Sequence, residues 1–87
     1  MTALHSVHSA AALAACLVRA TDNDAVILLD DGVYAALSDQ AVPVLYVLSE
    51  DLAARGLSVG HVVAGKVITM KEFVALTVLH TPIVAWF

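Results

Sequence analysis

Apolar residues in this chain come in short blocks of two periodicities, separated by clusters of two to four polar residues. Ala25 to Leu29 and Val44 to Leu48 are continuous apolar runs, the pattern of strands buried on both faces of a sheet. Pro43 opens the second run, where a missing N–H does least harm. Ala3 to His8 is a less regular strand pattern, Val67-Ile68-Thr69 a short strand, and Ile83 to Phe87, after Pro82, a final apolar strand or tail. Helical segments lie between. Ser9 caps Ala10 to Ala20, built largely of alanine and leucine, and Thr21-Asp22-Asn23-Asp24 is a polar turn. Asp30 or Asp31 opens a short helix through Leu37. Ser49-Glu50-Asp51 caps another through Arg55, with Gly56 at its C′ position. Leu57 to Gly65 reads as loop with room for a short helical turn. In the helix Met70 to His80, the residues Met70, Phe73, Val74 and Thr77 form a stripe expected to face the sheet. The order β-α-β-α-β-α-β-α-β implies an α/β fold. Residues 1–87 are expected to form a single domain, a mostly parallel sheet of about five strands flanked by helices through right-handed crossovers.

Composition adds a constraint. Apolar residues make up 61% of the 87 positions, against about 45–50% in an average domain. So small a chain has too much surface per unit volume to hide them all. A membrane protein is excluded by run length. The longest unbroken apolar stretch, Ala10 to Val18, is mostly alanine and falls far short of the roughly 20 residues a spanning helix needs. The start of the chain has no Lys or Arg ahead of an apolar segment, as a secretory signal would. An obligate oligomer of the cytoplasm is the better reading, because obligate interfaces resemble a domain core cut in half. The net charge is −4, and the cations Arg19, Arg55, Lys66 and Lys71 are scattered. No basic face for direct nucleic-acid binding is expected.

Few residues offer chemistry. Cys16 is the one cysteine, and Arg19, one helical turn later, shares its face and would favour a thiolate. The alternative is a buried structural cysteine. Asp30 and Asp31 are either a general acid/base pair, with one carboxyl raised by its neighbour, or, the preferred reading, a helix cap. Glu50 and Asp51 are read in the same way. His5, His8, His61 and His80 show no metal-ligand spacing and are taken as surface or interface residues. No nucleotide or cofactor motif is present, and no cofactor is expected. Trp86 and Phe87 are read as packing or interface aromatics.

Several segments in order, Leu4-His5, Asp31-Gly32-Val33-Tyr34-Ala35-Ala36, Tyr46-Val47-Leu48, Asp51-Leu52-Ala53-Ala54-Arg55-Gly56, Phe73-Val74-Ala75-Leu76-Thr77 and Ala85-Trp86, resemble the TusB/DsrH family nearly end to end. The resemblance implies a three-layer subunit of DsrE-like type. It would assemble with TusC/DsrF-like and TusD/DsrE-like partners into a heterohexameric sulfur relay. In the Tus branch the relay serves 2-thiouridine formation at the tRNA wobble position, and in the Dsr branch it serves sulfur oxidation. The principal sulfur-carrying cysteine would lie on the TusD/DsrE-like partner. Cys16-Leu17 followed by Ala20-Thr21 resembles the cysteine segment of DsrH-type members, which makes Cys16 a candidate persulfide carrier. The connection from Ser38 to Pro43 is shorter than in many relatives. A homo-oligomeric binding module with its ligand near Asp30 and Asp31 is the remaining alternative.

Overall fold

The computed structural model describes residues 2–87. Five strands, β1 (Leu4–Val7), β2 (Ala25–Leu28), β3 (Leu45–Leu48), β4 (Lys66–Ile68) and β5 (Ile83–Trp86), form one sheet in the order β4-β3-β2-β1-β5. Every pairing is parallel; His5 lies opposite Val26 on one side and Val84 on the other. The helices are α1 (Ala10–Arg19), α2 (Ser49–Ala54) and α3 (Met70–Leu79), with a 3-10 segment at Asp30–Leu37 and a 3-10 turn at Val59–His61. No helix among the described residues is long and apolar enough to cross a membrane.

The strand order decides where the helices go. The steps β1 to β2, β2 to β3 and β3 to β4 all run in one direction across the sheet, so right-handed crossovers place their connections on one face. The step from β4 to β5 runs back to the opposite edge, and the same handedness places α3 on the other face. Packing follows this division. Ala12, Leu13 and Cys16 of α1, Val33 and Ala36 of the 3-10 segment and Leu52 of α2 pack with Val7, Val26, Leu28 and Val47. On the second face Leu4, Ala25, Ile27 and Ile68 pack with Phe73 and Leu76 of α3 and with Leu29, Val44 and Tyr46 at the strands.

Several local signals act as the sequence implies. The Ser9 hydroxyl accepts from the Ala12 N–H at 3.2 Å and caps α1. Gly56, at φ +70°, ends α2 with a Schellman motif, in which the Leu57 and Gly56 N–H groups donate to Leu52 O and Ala53 O. Thr69 and Glu72 form a capping box at the start of α3.

Three expectations need correction. Neither Asp30 nor Asp31 caps the segment that follows: its N-cap position is Leu29, with no side-chain cap. Ser49 does not cap α2, because the helix already includes it and the Ser49 hydroxyl donates instead to Glu50. The α3 stripe lies on the sheet only in part: Phe73 packs against it and Thr77 is half-buried, but Met70 and Val74 are exposed, and no residue of α3 is fully buried. The exposed positions of α3 carry Met70, Val74, Val78 and Leu79 beside Lys71 and Glu72, so apolar residues lie on both sides and periodicity alone did not fix its rotation.

Two glycines make different demands. A Cβ on Gly32 would stand 2.1 Å from the Val7 carbonyl oxygen, so the 3-10 segment lies against β1 only because this residue has no side chain. Gly56 has open space around it and needs only its left-handed φ. Gly32→Ala should therefore destabilise the fold by about 3 kcal/mol or more, and Gly56→Ala by only about 1 kcal/mol. Urea unfolding of the two variants checks the ranking, which equal costs would contradict.

Candidate functional site

Cys16 lies on the buried face of α1 with no solvent exposure. Burial, and secondarily the negative charge of Asp24, pushes its thiol up to about 11. Arg19 is exposed in the last turn of the helix and forms no ion pair among the described residues. The shared helical face therefore does not bring guanidinium and sulfur together in a way that favours the thiolate. In this conformation Cys16 is a protonated packing residue.

Carboxylates and histidines organise both ends of the sheet. At the end where β1 and β2 finish, Asp30 adopts φ +50°, a left-handed conformation that aspartate tolerates better than most residues. The Asp30 N–H donates to Asp51 Oδ2 at 2.6 Å, and the Asp30 carboxylate accepts from His8 Nδ1 at 2.6 Å. Asp31 pairs instead with Arg55 Nε at 2.9 Å. The two aspartates thus serve different partners and do not share a proton as an acid/base pair would. Glu50 accepts from Ser49 and from the Met70 N–H at the start of α3, which holds its carboxyl below the usual carboxylate range. Each of these carboxylates satisfies a donor on another element, so each joins two connections rather than capping its own.

His8 also contacts the Ser6 hydroxyl through Nε2 at 3.1 Å. The chain Ser6–His8–Asp30 has the hydrogen-bond order of a hydrolytic triad. Ser6, however, is buried inside β1, where a substrate carbonyl has no path to its oxygen. The three residues act as a structural clamp, covered by the Phe87 ring stacked on His8 at 4.3 Å.

At the opposite end, where β1 and β2 begin, Asp24 gathers three donors: His5 Nε2 at 2.9 Å, the Ala3 N–H at 3.0 Å and the Thr21 N–H at 3.1 Å. These bonds, that from His5 foremost, hold the Asp24 carboxyl well below the usual range. His5 is buried, contrary to the expectation of a surface histidine, and its Nδ1 accepts from Trp86 Nε1 at 3.0 Å. His61 serves a local turn through Ser58, and His80 Nδ1 meets the Thr2 hydroxyl at 3.0 Å, joining the end of α3 to the start of the chain.

The remaining candidate is the surface itself. Val74, Val78 and Leu79 of α3 are 56%, 81% and 75% exposed, continuous with Met70 on the same helix. On the other face an open groove of about 370 Å³ runs between α1 and the 3-10 segment, lined by Leu13, Leu17, Tyr34 and Gln40 among others. A large aliphatic side chain left in water forgoes about 1.5–3 kcal/mol of burial. A stripe of them is what a partner surface would cover.

Comparison with known proteins agrees with this architecture. A family model described as DsrH like protein matches residues 5–83. Protein TusB of Pectobacterium carotovorum (strain PC1) is 42% identical over 80 residues, covering 80% of this chain and 83% of that protein. Protein TusB of Klebsiella pneumoniae is 40% identical over 84 residues, covering 85% and 86%. The solution NMR structure of protein Tm0979 from Thermotoga maritima matches with a TM-score of 0.73 and 29% identity, covering 86% of this chain and 90% of that one.

Two outcomes follow from the site geometry. Cys16 should resist alkylation in the native protein and react fully in urea; labelling at equal rates in both states would contradict its burial. Asp24, whose carboxyl is depressed on folding, adds stability that is complete above about pH 4 and is lost as the pH falls through its folded-state value. Asp24→Asn should cost about 1–3 kcal/mol at neutral pH, and the gap to wild type should narrow in acid. Urea titrations at neutral and acidic pH read both effects.

Proposed function

This chain belongs to the DsrH family, and on that premise we propose that it is a structural or auxiliary subunit of a cytoplasmic sulfur-relay complex that serves 2-thiouridine formation at the tRNA wobble position. The names of its curated relatives, TusB throughout those cited, support the tRNA branch over sulfur oxidation. The partners are TusC/DsrF-like and TusD/DsrE-like chains. The observation that carries the reading is α3, a helix with no fully buried residue and an apolar outer stripe. A subunit with a permanent partner has reason to keep such a surface, because obligate interfaces are as apolar as cores.

The chemistry of relay argues for a carrier elsewhere. An acceptor thiolate attacks the outer sulfur of a donor persulfide; the new S–S bond forms as the old one breaks, and the donor leaves as a thiolate. The acceptor must be ionised and reachable. Cys16, with no exposure and a thiol raised to about 11, is neither. In this proposal it packs α1 onto the sheet, and the transferable sulfur rides on a partner's cysteine. The chain also lacks a basic face, since its net charge is −4 and Arg55 is paired with Asp31. Contact with tRNA therefore falls to other components.

Co-expression with the DsrE-like and DsrF-like chains, followed by size exclusion with light scattering, tests the proposal. The expected result is one co-eluting species. A stable 9.1 kDa monomer beside separately eluting partners would overturn it. Loading the complex with a cysteine desulfurase and reading intact masses should add sulfur to a partner and none to this chain. Sulfur on this chain that disappears in Cys16→Ala would move the carrier role here.

A further inference from the structure

The two histidines of the first strand region are wired differently, and the difference has a chemical consequence. The indole N–H of Trp86 is only ever a donor, so His5 Nδ1, 3.0 Å away, must be an unprotonated acceptor. The single ring proton then sits on Nε2, where it donates to Asp24 Oδ2 at 2.9 Å. His8 has the opposite tautomer, with Nδ1–H donating to Asp30 and the Ser6 hydroxyl beside Nε2. A second proton on His8 is accommodated, because the serine hydroxyl turns from donor to acceptor. A second proton on His5 would face the Trp86 N–H, which has no such freedom.

We propose that His5 is a proton-operated latch on the C-terminal strand: the neutral ring holds the Trp86 indole, and a second proton at Nδ1 releases it while the ring stays paired with Asp24. The surroundings favour a local release. Asp24, in the turn before β2, is the one charged group bonded to His5 and remains ionised in mild acid. From α1 the nearby titratable group is Cys16, which stays a neutral thiol, and Arg19 is exposed. Trp86 is the partner that β5 contributes, and it does not titrate. On the strand's own continuation, His8 is committed to Asp30. β5 is an edge strand, paired only with β1 and half-exposed along its length, so the element that the latch holds is one of the least supported in the sheet.

Trp86 is the only tryptophan, so its signals are unambiguous. Nitrogen–proton correlation spectra of the full chain between about pH 8 and pH 5, the span in which imidazoles ordinarily titrate, test the latch. At the alkaline end His5 should show the Nε2–H tautomer. On acidification the Trp86 indole resonance should move to the position of a free indole with the midpoint of the His5 ring signals, while β2 and β3 amides stay in place. His5→Gln keeps an acceptor for the indole and a donor for Asp24 but cannot titrate, and it should abolish the indole shift. The latch is overturned by an Nδ1–H tautomer at alkaline pH, a His5 ring that stays neutral to about pH 5, or an indole that is unmoved as His5 titrates. An indole shift that persists in His5→Gln, or loss of all amides together, also overturns it.

Discussion

The handedness of the crossovers governs this molecule. Three consecutive steps across the sheet share a direction, and the fourth reverses it. Right-handed connection then puts α1, the 3-10 segment and α2 on one face and leaves α3 by itself on the other. One face receives a full layer: Val7, Val26, Leu28 and Val47 lie almost fully buried beneath it. The other receives one helix that touches the sheet through Phe73 and Leu76 and turns Val74 and Val78 outward. The sheet is buried on both faces, and part of the chain's high apolar fraction lies instead on the outer side of α3, in Met70, Val74, Val78 and Leu79.

Within that frame the polar residues act as ties between connections. Asp51 holds the Asp30 N–H, Glu50 holds the start of α3, Arg55 reaches Asp31, and Asp24 binds the beginnings of β1 and β2 together. At the strand ends where α/β proteins commonly bind ligands, this chain has satisfied its donors internally. No buried side-chain polar atom among the described residues lacks a partner. At that edge His8, Asp30, Asp31, Asp51 and Arg55 are bonded to one another, as the proposed role requires.

Much of this was legible in the residues. The apolar runs at Ala25 and Val44, the Ser9 cap and the Gly56 terminator lie where local rules place them, because those signals act over a few residues. What escaped depends on distance along the chain. The Asp30-Asp31 pair has the composition of a cap, but Asp30 enters the next segment through a left-handed φ and its N–H is satisfied by a residue 21 positions away. The burial of His5 depends on Trp86, 81 positions away, and no spacing rule reaches that far. The three-residue spacing of Cys16 and Arg19 says nothing of burial, which puts the sulfur against the sheet and leaves the guanidinium in solvent.

The central claim is that the outer face of α3 belongs to a partner. Replacing Val74 and Val78 together by glutamate tests it most directly, through circular dichroism of the chain alone and the mass of its assembly with DsrE-like and DsrF-like chains. Unchanged helical signal with loss of the assembly is the predicted result. An assembly of unchanged mass and stability, with two carboxylates on that face, would contradict it.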